Sequence, residues 1–139
     1  MIETTEVVVR TKFKHDDCIH FAEGLIGFPE SKDFVLLENE DLAPFRLLQA
    51  VERPEVGFLV LDPTLVAKGY YDVVPDRDWE SVGVTNGTPR LAFVSVIVGP
   101  SPDESTGNLQ APLLINCQEM IGRQVILTDS GLSVRHPLV

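Results

Sequence analysis

Arg90-Leu91-Ala92-Phe93-Val94-Ser95-Val96-Ile97-Val98 is apolar on both of its alternate faces. A strand with that pattern is covered on both sides or lies at the centre of a curved sheet. The run is too short to cross a bilayer, which takes about 20 apolar residues in a helix. Shorter strand-like runs surround it. Val7, Val9, Thr11 and Phe13 alternate with Val8, Arg10 and Lys12, and Ile19 and Phe21 alternate with Cys18 and His20. Phe45, Leu47, Gln49 and Val51 alternate with Arg46, Leu48 and Ala50. Phe34–Leu37, Phe58–Leu61, Leu113–Ile115, Val125–Leu127 and Leu132–Val134 complete the set. Period-two alternation marks half-buried strands. Asn86-Gly87 and Asp129-Ser130-Gly131 supply residues that accept positive φ in tight turns. Gly99-Pro100 and Gly122 interrupt the chain elsewhere.

Helical signal is sparse. Pro75–Val82 places Pro near its start and acids in its first turn, as a helix N-terminus favours. Pro29–Lys32 and Pro63–Val66 each read as a single turn. The expected fold is therefore mainly β: one compact antiparallel β-barrel-like domain over residues 1–139, with one or two short helices.

Composition narrows the function. The chain has 139 residues, with 44% hydrophobic and 23% charged, as in one soluble globular domain. Its N-terminus lacks the apolar core of a secretory signal, which gives a cytoplasmic expectation. In that setting Cys18 and Cys117 read as buried thiols. The net charge of −10 argues against direct nucleic-acid binding and against an anionic membrane surface. It suits solubility alone, or a basic or amphipathic protein partner.

Catalytic signatures are missing. No nucleophile elbow, P-loop or dinucleotide fingerprint occurs. His15, Cys18 and His20 cluster, yet their spacing fits no structural zinc pattern. Asp76, Asp78 and Glu80 read as a solvated helix start, since the spacing of a calcium loop is wrong. We expect no enzyme activity, no metal and no cofactor.

Function is then expected in surfaces. Glu23, Glu30, Asp33, Glu38, Glu40 and Asp41 face only Lys32 in the same stretch, and Asp72, Asp76, Asp78 and Glu80 form a second acidic group. These are either solvated edges or an acidic docking surface. In Phe21-Ala22-Glu23-Gly24-Leu25-Ile26-Gly27-Phe28-Pro29, the residues Leu25, Ile26 and Phe28 need burial, inside the fold or against a partner. In Asn108–Asn116, Pro112 cannot donate to a ladder, so a strand starts there or lies at an edge open to a partner strand. Asn108 and Asn116 read as caps of nearby backbone. The candidate partner-binding residues are Leu25, Ile26, Phe28, Glu38, Glu40, Asp41, Asn108, Pro112 and Asn116.

Taken together, these motifs resemble the FliW family of flagellar assembly factors. The resemblance runs through Phe21, Gly24, Leu25, Gly27 and Phe28, then Pro44-Phe45 with Leu48-Gln49 and Glu52. It continues through Thr106, Asn108, Leu109, Ala111-Pro112, Ile115-Asn116, Gly122 and Gln124, and ends at Ser133–Leu138. Leu132 stands where the family pattern suggests tyrosine. The resemblance implies a compact β-barrel-like fold without catalysis; a monomer is the separate expectation for its oligomeric state. It also implies two protein partners: flagellin before export, and the translational repressor CsrA, released from flagellin mRNA when bound. A flagellin-binding factor that does not engage CsrA is the alternative. Whether the two partners share a surface stays open, as does steric against charge-based release of RNA.

Overall fold

The computed structural model describes residues 18–101, 104–128 and 130–138. The expected strand of Val7–Phe13, together with His15 and Asp129, lies outside them. Among the described residues nine strands follow one another: β1 (Ile19–Phe21), β2 (Asp33–Leu37), β3 (Arg46–Ala50), β4 (Gly57–Leu61), β5 (Arg90–Ile97), β6 (Thr106–Gly107), β7 (Leu113–Asn116), β8 (Ile121–Gln124) and β9 (His136–Pro137). Between β4 and β5 come a 3-10 turn at Pro63–Leu65 and two short helices, α1 (Tyr70–Val73) and α2 (Asp76–Glu80).

Seven strands close into a ring in the order β4-β3-β2-β1-β8-β7-β5, with β5 returning to β4 through Val60↔Ser95 and Leu61↔Val94. The barrel matches the expected class, with one departure from a purely antiparallel arrangement. An odd number of strands cannot alternate in direction all the way round, so one neighbouring pair must run parallel. That pair is β1 and β8, with His20↔Ile121 and Phe21↔Gly122. β6 and β9 extend the far end of β5 as a small ribbon.

β5 explains its own sequence. Phe93 points into the barrel with Phe21, Phe34, Leu48, Val60, Leu113 and Ile115, all nearly or fully buried. Ala92 and Val94 point outward into a second core with Leu61, Tyr70, Val74, Trp79, Val82 and Leu114. Each such burial contributes roughly 1.5–3 kcal/mol for a large side chain. Aromatic contacts fasten the helices to the outer face. Arg90 lies over the rings of Trp79 and Tyr71, 4.5 and 5.5 Å from their centroids. The Tyr71 hydroxyl accepts from the Ala92 N–H at 2.7 Å, and the Tyr70 hydroxyl donates to the Leu109 carbonyl. Val125, expected to read as strand, belongs to this outer core and not to the barrel interior.

Several local expectations shift. α2 and the Pro63 turn fall where Pro and the acids placed them. α1 was not legible, since it starts after Gly69 at φ +77 without a side-chain cap. Pro29–Lys32 forms no helix. The strand expected at Val125–Leu127 is instead Ile121–Gln124. Val125 and Leu127 still donate to Pro112 and Gln110 carbonyls, but outside a ladder. The Leu132–Val134 strand is replaced by β9, because Ser130 turns the chain through bonds to Leu127 O and Leu132 N.

Candidate partner-binding surfaces

The strand registers sort the connections onto the two ends of the barrel. Leu37↔Leu47, Arg46↔Val60, Arg90↔Asn116 and Asn116↔Ile121 mark one end. His20↔Asp33, Gln49↔Gly57 and Leu113↔Gln124 mark the other. The 38–45 connection therefore leaves one end, and the 22–32 and 108–112 segments gather at the opposite end. The acidic and apolar candidates do not form one surface.

The second end is built by packing. Gly24 has φ +67, and a Cβ there would lie 2.6 Å from Phe28 O and Pro29 Cα. Glycine is thus required to fold the loop back, with Leu25 and Phe28 exchanging backbone bonds. Leu25 is buried in the barrel core, so it is a fold residue and not a contact surface, contrary to the sequence expectation. Ile26 and Phe28 remain 56% and 42% exposed. The Phe28 ring meets Phe58 edge-on at 5.1 Å, Phe58 meets Phe34 at 6.2 Å, and Phe34 meets Phe21 at 5.5 Å. This ladder of rings ends over Gly122, where a Cβ would lie 2.5 Å from the Phe21 ring.

Gln124 joins the two distinctive stretches. Its Oε1 accepts from Ile26 N at 2.8 Å, and its Nε2 donates to Ala111 O at 3.1 Å. The sequence flagged Gln124 as part of a motif but not as a site, because its role lies in contacts far along the chain. Asn108 caps its own loop, accepting from Gln110 N and Ala111 N at 3.1 and 3.2 Å. Pro112 is buried, and β7 begins just after it. Of the two readings of Pro112, the strand start holds, whereas β7 is flanked by β5 and β8 and is not an edge strand able to receive a partner. Asn116 is 1% exposed. Its Nδ2 donates to Val82 O at 2.9 Å, and its Oδ1 accepts from Gln118 N and Glu119 N at 3.0 Å each. Asn116 holds the β7–β8 turn to the end of α2. Pro112 and Asn116 are thus structural, and neither offers its side chain to a partner.

The first end is polar and open. Glu38, Glu40 and Asp41 are exposed on the 38–45 loop, which borders a cleft of about 470 Å³ with Phe45 and Arg46. Arg46 reaches Glu38 at 2.9 Å and lies 5.5 Å from the Phe93 ring centroid. Half-exposed ion pairs of this kind add little stability. They leave Glu40 and Asp41 to shape the local field. Asp41 N donates to Asn39 Oδ1, which sets the turn.

Cys18 and Cys117 are partly buried thiols, and burial pushes the Cys117 thiol above its usual range, which weakens its nucleophilicity. Among the described residues no group of three or more His, Cys, Asp and Glu is placed to hold a metal ion. No helix among them is long and apolar enough to cross a membrane.

The chain is similar to known proteins in sequence and in fold. The sequence profile of the family described as FliW protein matches residues 2–138. The chain is 35% identical to a flagellar assembly factor FliW of Geobacillus kaustophilus, over 94% of this chain and 94% of that protein. It is 33% identical to one of Bdellovibrio bacteriovorus, over 99% of this chain and 79% of that protein. A crystal structure described as the flagellar assembly factor FliW superposes with a TM-score of 0.83 at 35% identity, over 93% of this chain and 90% of that one.

Proposed function

The chain belongs to the FliW family of flagellar assembly factors, and from that premise we propose that it is a non-enzymatic cytoplasmic binding protein shared between CsrA and unexported flagellin. CsrA binding would lift repression of flagellin mRNA, and flagellin binding would restore it. The observation that carries this reading is the separation of two unlike surfaces. Glu38, Glu40 and Asp41 present acid at one end of the barrel, while Ile26 and Phe28 present apolar area at the other. A basic RNA-binding protein is steered by the acidic end, where complementary potential raises the rate of encounter. An amphipathic flagellin segment needs apolar contact of the kind the other end offers. Because the two surfaces lie at opposite ends of the barrel, the switch requires negative coupling between them, in which each partner lowers the protein's affinity for the other.

The exposed Ile26 and Phe28 also favour a narrower reading, a flagellin-binding factor that does not engage CsrA. Titration of the purified protein with CsrA, repeated in the presence of flagellin, separates the two. Our reading expects a CsrA complex that flagellin weakens. A flagellin complex with no heat of CsrA binding would establish the narrower one.

A further inference from the structure

We propose that Asn86 is a site of spontaneous deamidation, the one asparagine of this chain that the fold leaves chemically unprotected. The reaction needs the backbone nitrogen of the next residue to attack the side-chain amide carbon. A five-membered succinimide forms as the C–N bond to the amide breaks, and ammonia leaves. Water then opens the ring, giving aspartate or isoaspartate. No oxidant or reductant is involved, and solvent water is the only co-reactant.

The four asparagines of the chain differ in what blocks this step. Asn116 is buried and holds three hydrogen bonds. The Asn108 carbonyl is held by two backbone N–H groups and is followed by buried Leu109. The Asn39 carbonyl accepts from Asp41 N, and Glu40 follows it with a side chain that hinders the attack. Asn86 is exposed, and neither its side chain nor the Gly87 N–H is engaged in a hydrogen bond among the described residues. Gly87 has φ +85, and the space where a Cβ would stand is empty to beyond 4 Å. Glycine removes the steric barrier to ring closure at its own nitrogen. The turn is closed around the pair, with Thr88 N donating to Thr85 O at 3.1 Å and Thr85 N to Thr88 Oγ1 at 3.2 Å. The bonds that hold the turn therefore leave the reacting atoms free. Asparagine is among the thermolabile residues for this chemical reason.

The site also gives the change a consequence. Asn86 lines a depression of about 290 Å³ with Asp76, Glu80, Trp79 and Arg90. Arg90 is the cation that stacks on Trp79 and Tyr71. Conversion places a new carboxylate beside two existing acids and within the field of that arginine.

The test is incubation of the full folded chain in mildly alkaline buffer made with oxygen-labelled water, followed by peptide mass spectrometry. The expected result is labelled-oxygen uptake at Asn86 several-fold faster than at Asn39, Asn108 or Asn116, and methyl acceptance by an isoaspartyl methyltransferase. The Asn86→Gln variant should lose both signals while keeping the circular dichroism and melting profile of the parent. Uptake at Asn86 no faster than at Asn39 in the folded protein would overturn the proposal, as would undiminished methyl acceptance in Asn86→Gln.

Discussion

The two ends of this barrel are built on opposite terms. At one, the 22–32 loop is held by a glycine that admits no Cβ, a buried Leu25, a ladder of four phenylalanine rings and the double contact of Gln124. At the other, the 38–45 loop carries its charges in solvent, with one half-exposed ion pair from Arg46 to Glu38. The first end makes its surface as a by-product of packing, so a change there reaches the core. The second end can change sign at little cost to the fold. That asymmetry predicts that the charge of the acidic end can be altered without loss of stability.

The sharpest way to break the contrast is Gly24→Ala. Positive φ costs about 1–3 kcal/mol for a residue with a side chain. The added methyl also collides with Phe28 O and Pro29, so denaturant unfolding should show a loss of about 3 kcal/mol, at the upper end of that strain range. Asn116→Ala comes next. It leaves Val82 O, Gln118 N and Glu119 N without their partner, and a loss of about 2 kcal/mol should appear in thermal melts, from the cost of unmet buried groups. Phe28→Ser removes the outermost ring of the ladder. Because Phe28 is partly exposed, the expected loss is about 1 kcal/mol, below that of a fully buried phenylalanine. The same variant should weaken flagellin binding, measured by titration. An unchanged melt together with unchanged flagellin affinity would remove Phe28 from both roles. Paired replacement of Glu40 and Asp41 by Lys should stay within about 0.5 kcal/mol of the parent, as exposed substitutions do. A larger loss would show that the acidic loop is structural after all.

Much of this was legible beforehand, for identifiable reasons. β5 declared itself because both of its faces are apolar, and the structure supplies an inner and an outer core to match. α2 was readable from Pro75 and its acids. β8 was not, since Ile121-Gly122-Arg123-Gln124 has no strand periodicity and pairs through β1 and β7 on either side. The candidate surfaces were only half legible. The acidic residues are exposed as composition suggested, but composition cannot say that they lie across the barrel from Ile26 and Phe28. Leu25, Pro112 and Asn116 drew notice because they are unusual in context. The reason for that unusualness is local folding, in the buried loop, the start of β7 and the β7–β8 turn. Gln124 was missed because its two partners, Ile26 and Ala111, are 98 and 13 positions away.

The most direct test of the account is titration of the protein with CsrA across a salt series, for the parent, Phe28→Ser, and Glu40→Lys with Asp41→Lys. We predict binding that weakens steeply with salt in the parent and in Phe28→Ser, because exposed charges are screened over about 10 Å at 0.1 M salt. The double lysine variant should bind at least about tenfold more weakly, a difference of about 1.4 kcal/mol, with a flatter salt dependence. Parent affinity indifferent to salt, or loss of CsrA binding in Phe28→Ser with full retention in the lysine variant, would contradict the assignment of the acidic end.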